Sequence, residues 1–109
     1  MSKSWLYLMG AILFEVSGTT CMKLSDGFAR IIPSILIFVF YSCSFSLMTL
    51  AIKQLEVSIV YAIWSGIGMA LITAIGIFVF HESASLLKLV SILLIMVGII
   101  GLNWHAAPR

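Results

Sequence analysis

Residues 5–22 read "WLYLMGAILFEVSGTTCM", an apolar run from Trp5 to Met22 that is broken by one charge, Glu15. Its length is that of a helix crossing a bilayer, which takes roughly 17–25 residues. A charge at its middle is what hydrocarbon tolerates least, about 2.5–3.5 kcal/mol on insertion measurements. Glu15 must therefore face protein, water or a ligand rather than lipid.

Working outward, three more apolar blocks follow, Ile31 to Ile52, Val57 to Phe80 and Leu89 to Trp104. The chain has 109 residues, 62% of them hydrophobic and 9% charged, with a mean hydropathy of +1.21. A soluble domain of that composition would lack the polar groups to cover its surface. The expected fold is all-α: a polytopic membrane protein of four transmembrane helices in a single domain, residues 1–109. Turn signals stand where loops are needed, in "LSDGFAR", "KQLEVS" and "HESAS", and Pro33 occupies a first turn, where its missing N–H costs little. The first block is not expected to be a signal peptide, because Glu15 interrupts it and no clean small-x-small cleavage site follows.

Several classes are set aside by what the chain contains. Cys21 and Cys43 fall in apolar blocks, where thiols pack as small hydrophobes, and no disulfide framework or metal spacing is present. A formal charge of +2, dispersed along the chain, does not suggest nucleic acid. No phosphate-binding glycine pattern or nucleophile elbow occurs, and the membrane blocks hold no histidine or activated nucleophile beside Glu15. No cofactor, no metal and no enzymatic activity are expected.

The basic residues bear on assembly. With four spans both termini share one side of the membrane, which receives Lys3, Lys53 and Arg109, while Lys23, Arg30 and Lys88 fall on the other. Lys/Arg bias sets orientation, so this three-to-three tie predicts insertion in both directions and antiparallel pairing; weak orientation by other factors stays open. Four helices also leave little room for a polar path without a second copy. Ser91 and Gly98 lie one heptad apart with Gly101 nearby, a seam of small residues for a partner helix or, alternatively, for packing inside the monomer.

Helical spacing places Ala11 one turn before Glu15, and Gly18 and Thr19 one turn after. The small Ala11 and Gly18 are expected to leave space beside the carboxylate for a bulky guest. No buried Lys or Arg is on hand as a partner, so a proton and an organic cation would compete for the same group. A protonated glutamate that merely bonds across a helix interface is the alternative. Tyr41, Ser44 and Phe45 share one face of the second block; Tyr61, Trp64, Ser65 and Gly68 share one face of the third. Aromatic faces suit cations, quaternary ammonium above all, although such rings also serve as ordinary packing. Trp5, Tyr7 and Trp104 stand near block ends as interface anchors, with Trp5 also able to cap the site. Gly66 and Gly68 offer either a hinge or close helix packing.

These residues resemble the small multidrug resistance family, over essentially the whole chain, most specifically in "GAILFEVSGTTCMKLSDGFAR" and "VYAIWSGIG". The resemblance implies a bacterial inner-membrane exporter that works as an antiparallel homodimer and couples cation export to proton import. It implies that Glu15 binds substrate or protons, that Tyr41, Phe45, Tyr61 and Trp64 bind substrate, and that Trp5, Tyr7, Ala11, Gly18 and Thr19 line the pocket. Gly18, followed by "TTCMK", is similar to the quaternary-ammonium branch, whereas the guanidinium branch has a tryptophan at that place. Two departures are Ser46, where a tryptophan is expected to shape aromatic packing, and Ser91, where the dimer motif begins with glycine.

The expected function is thus proton-coupled antiport of hydrophobic or quaternary ammonium cations. Rival readings are a narrower exporter of small quaternary amines such as choline or betaine, a transporter needing a different partner chain, which the charge tie disfavours, and a non-transport membrane subunit.

Overall fold

The computed structural model describes the backbone of residues 3–105 and the side chains of residues 3–102. Four helices follow one another: α1 (Lys3–Leu24), α2 (Ile31–Ala51), α3 (Val57–Phe78) and α4 (Leu86–His105). No strand occurs among the described residues. Of these helices α1, α2 and α3 are long and apolar enough to cross a membrane, while the described apolar stretch of α4, Leu86–Leu102, is shorter. At 1.5 Å per residue that stretch reaches about 25 Å, slightly less than the roughly 30 Å of a hydrocarbon core. The expected four spans are met outright by three helices.

Where the helices depart from the expected blocks, local hydrogen bonds give the reason. The third helix was expected to run to Phe80 but ends at Phe78. The backbone N–H groups of Phe80 and Glu82 both turn back to the Gly76 carbonyl, the latter at 2.9 Å, and His81 takes a left-handed φ of 60°. α4 begins at Leu86 rather than Leu89, because the Ser85 hydroxyl accepts the Lys88 backbone N–H at 3.1 Å and so caps the helix. Lys88, taken from the sequence as a boundary, sits inside the first turn and extends its ammonium to the Ser83 carbonyl at 3.1 Å and to Glu82 at 3.9 Å. The α1–α2 turn places Asp26, Gly27 and Phe28 at positive φ; Gly27 does so without steric cost. The Ser25 hydroxyl, nearly fully buried, bonds the Met22 carbonyl and receives the Phe28 N–H, which holds this turn closed.

α1 is the centre of the bundle, packed against both α2 and α3, and α4 packs on α3. Leu8, Ile12 and Val16 recur every four residues on one face of α1 and meet Ala51, Ile59, Val60 and Ile63 to form the buried core. Elsewhere large apolar side chains stand exposed, among them Ile31, Phe38, Leu93 and Leu94. In water that surface would be untenable; against lipid tails it costs nothing.

Candidate functional site

Glu15 projects from the middle of α1 into the space between α1, α2 and α3. Its Oε2 accepts a hydrogen bond from the Thr19 hydroxyl at 2.6 Å, one turn further along the same helix. The Thr19 oxygen in turn meets the Tyr41 hydroxyl from α2. A hydroxyl has one proton, so with Thr19 donating to the carboxylate, Tyr41 must donate to Thr19. On the far side the carboxylate abuts α3: a Cβ built on Gly68 would lie 2.9 Å from Glu15 Oε1. Gly68 is therefore the seat of the carboxylate, a role that its sequence position as a candidate hinge did not disclose. α3 runs unbroken through both glycines, and Gly66 is the place where Ile99 of α4 approaches, with Ile99 Cδ1 occupying the space a Cβ would need.

From Tyr41 a continuous row of rings leads away from the carboxylate. Tyr41 stacks on Phe45 with centroids 5.8 Å apart, Phe45 meets Trp64 at 6.4 Å, and Trp64 meets Tyr61 at 5.7 Å. Spacing alone placed these four on two helix faces; the fold joins them into one surface. Phe45 and Tyr61 remain exposed. The Trp64 indole N–H is shielded from solvent and has no acceptor among the described residues.

Other sequence candidates stand elsewhere. Ala11 and Gly18 do not leave an open space beside Glu15. Ala11 is fully buried and its carbonyl accepts the Ser44 hydroxyl at 2.7 Å, which makes Ser44, also fully buried, a staple between α1 and α2. A Cβ on Gly18 would meet Phe40 Cβ at 3.3 Å and the Tyr41 ring at 3.5 Å. The space that sequence reading reserved for a guest is filled by the chain's own Tyr41, and this close approach brings its hydroxyl to Thr19. Trp5 and Tyr7 pack against the core near the start of α1, about 15 and 12 Å along the helix axis from Glu15 at 1.5 Å per residue. Tyr7 lines a separate cleft with Lys3 and Lys53. Trp104 as an anchor and Arg109 in the charge tie lie outside the described side chains.

Ser46, the departure expected to alter aromatic packing, faces away from the rings. It lines an outer groove with Phe14, Cys43 and Leu47 and returns its hydroxyl to the Ser42 carbonyl at 2.8 Å. Ser91, Gly98 and Gly101 are exposed, and nothing lies within 4 Å of a Cβ built on either glycine. They do not pack inside the protomer. Sequence reading missed two neighbours of the site. Met22 brings its Sδ to 3.7 Å from the Tyr41 hydroxyl, and a cavity of about 370 Å³ between α1 and α3 reaches Thr19 from a mouth at Phe80 and Glu82. Only the i+7 offset of Met22 from Glu15, two turns along the same face, hinted at the first.

Fold and site together define a small helical membrane protein organised around one intramembrane carboxylate. Residues 3–95 match the family model described as Small Multidrug Resistance protein, and the chain belongs to that family. It is 49% identical over 100 residues to the uncharacterized membrane protein YvaE of Bacillus subtilis, covering 92% of this chain and 84% of that one. It is 39% identical over 99 residues to the multidrug transporter EmrE of Escherichia coli, covering 91% and 90%. To the quaternary ammonium compound-resistance protein QacC of Staphylococcus aureus it is 37% identical over 99 residues, covering 91% and 92%.

Proposed function

We propose that this protein is a proton-coupled antiporter that exports hydrophobic or quaternary ammonium cations across the bacterial cytoplasmic membrane. It works as an antiparallel, dual-topology homodimer, each copy a single four-helix transmembrane domain over residues 1–109. The observation that carries this reading is the placement of Glu15, an intramembrane carboxylate with no cationic side chain against it among the described residues and a row of aromatic faces beginning two hydrogen bonds away, through Thr19 to Tyr41. The names of EmrE and QacC support multidrug or quaternary ammonium cations as the substrate class.

Competition for one carboxylate suffices to couple the two ions. The deprotonated site, open inward, takes a cation against Glu15 and the rings; open outward, it takes protons and releases the cation. Protonation also reverses the hydrogen-bond chain. A carboxyl O–H donates to Thr19, Thr19 donates to Tyr41, and the Tyr41 hydroxyl turns to Met22 Sδ. Each protonation state thus keeps every hydroxyl satisfied, which lets the site change charge without leaving a buried donor orphaned. Gly66 and Gly68 allow α3 to bend between the two openings.

The second copy supplies what one protomer lacks: a partner for the open α4 face at Ser91, Gly98 and Gly101, and cover for Phe45 and Tyr61. Because Ser46 turns away from the rings, it gives no support to the narrower reading of choline or betaine export. The deciding experiment is proton release from purified protein in weakly buffered detergent on adding an aromatic quaternary ammonium cation, with choline as comparator. Release that vanishes in Glu15→Gln supports the proposal; release that persists in that variant overturns it.

A further inference from the structure

The Tyr41 hydroxyl stands between two acceptors. It meets the Thr19 oxygen on one side and Met22 Sδ, at 3.7 Å, on the other, and it has a single proton to give. A thioether is a weak acceptor, so with the carboxylate bare the proton goes to Thr19, whose own hydroxyl donates to Glu15 Oε2. The direction of the chain at Glu15 therefore depends on how strong an acceptor Met22 presents.

Among the described methionines Met22 is also the one at the water's edge. It is 46% exposed and lines the cavity of about 370 Å³ whose mouth lies at Phe80 and Glu82. It stands in the last turn of α1, beside Lys23, whose charge keeps this end of the helix at the aqueous boundary. Met9, Met69 and Met96 lie in the interiors of apolar helices, and Met48 packs against the core.

A thioether that water can reach is open to peroxide. The sulfur attacks a peroxide oxygen; the S–O bond forms as the O–O bond breaks, and the proton of the transferred oxygen passes to the departing hydroxide, which leaves as water. Sulfur is oxidised and the peroxide reduced. The sulfoxide carries a polar oxygen in place of a weak acceptor, and that oxygen competes with Thr19 for the Tyr41 proton. Once Tyr41 turns to it, nothing donates to Thr19, and the chain takes the direction that accompanies a protonated carboxyl.

We propose that Met22 is a site of reversible oxidation by peroxides, whose sulfoxide weakens cation binding at Glu15 by drawing the Tyr41 hydroxyl away from Thr19. The effect on binding rests on the transport reading; the oxidation itself does not.

The test uses the full chain purified in non-ionic detergent and treated with hydrogen peroxide. Peptide mass spectrometry follows which methionine gains oxygen. Calorimetry measures affinity for an aromatic quaternary ammonium cation before and after, each protein being compared with itself. Met22 is expected to gain oxygen ahead of Met9, Met48, Met69 and Met96. Wild-type affinity should fall by roughly threefold or more, the scale of one hydrogen bond, and return on treatment with methionine sulfoxide reductases. Met22→Leu and Tyr41→Phe are expected to lose this sensitivity, the first for want of a sulfur and the second for want of a hydroxyl to capture. Earlier oxidation of another methionine, unchanged affinity with Met22 fully oxidised, or a loss that persists in either variant would overturn the proposal. Should Met22→Leu not fold, reductase reversal in the wild type and the response of Tyr41→Phe decide. An untreated wild type that binds no quaternary cation overturns the transport reading and this inference together, whereas intact binding that ignores oxidised Met22 overturns the inference alone.

Discussion

α1 buries Ser4, Leu8, Ala11, Ile12, Val16, Gly18 and Cys21, whereas none of the described residues of α4, a helix of similar length, is buried. Both are apolar enough to sit in lipid, so composition does not separate them. What separates them is neighbours. α1 lies between α2 and α3 and holds the one intramembrane carboxylate; α4 touches α3 through Ile99 at Gly66 and turns Gly98 and Gly101 to open space. The inner helix carries the carboxylate, and the outer one carries exposed apolar surface.

That contrast can be broken at several points, the severest first. On the proposed mechanism Glu15→Gln removes the group for which proton and cation compete, and proteoliposomes bearing it are expected to accumulate no quaternary cation under a proton gradient. Gly98→Leu should leave protomer stability unchanged, since a Cβ there meets nothing within 4 Å, while crosslinking is expected to show loss of the proposed dimer and transport to fall at least tenfold. Gly68→Ala pushes on Glu15 Oε1, and calorimetry should show cation affinity reduced about tenfold, the equivalent of ~1.4 kcal/mol.

Smaller effects sharpen the comparison. Gly66→Ala drives a methyl into Ile99 and should lower stability by about 1–3 kcal/mol of overpacking, whereas Gly98→Ala on the open face should not change the thermal midpoint. Tyr41→Phe deletes one hydroxyl of the chain to Glu15 and is expected to cost about 0.5–1.5 kcal/mol, read as a few-fold weaker cation binding with folding intact. If proton and cation compete for Glu15 as proposed, cation affinity in the wild type should fall as pH falls; a pH-independent affinity would contradict that competition.

Much of this was legible in the residues themselves. Four apolar blocks separated by turn signals located four helices to within a few residues. Glu15 stood out because a charge inside hydrocarbon is so costly that its presence demands a reason. Helix periodicity also paired Glu15 with Thr19 and put Tyr41 with Phe45 and Tyr61 with Trp64. The misses were cross-helix. Gly18 and Ala11 looked like room for a ligand, yet Phe40, Tyr41 and Ser44 of α2 close on them. Trp5 and Tyr7 were grouped with the site on the family resemblance, and within the protomer they lie two to three turns along α1 from Glu15. The boundary at Lys88 was set three residues late, since a lysine can keep its stem in a helix and its charge outside the membrane.

Hydropathy and periodicity in the sequence thus determined the class, the helices and the one carboxylate that lipid cannot tolerate, because these follow from transfer energies and from the 3.6-residue turn. The tertiary structure alone decided that Gly68 seats the carboxylate, that Tyr41 reaches it through Thr19, and that Ser46 turns away from the rings. The same small residue is a ligand space, a helix contact or an open seam according to which helix lies against it, and that depends on contacts between segments far apart in the chain.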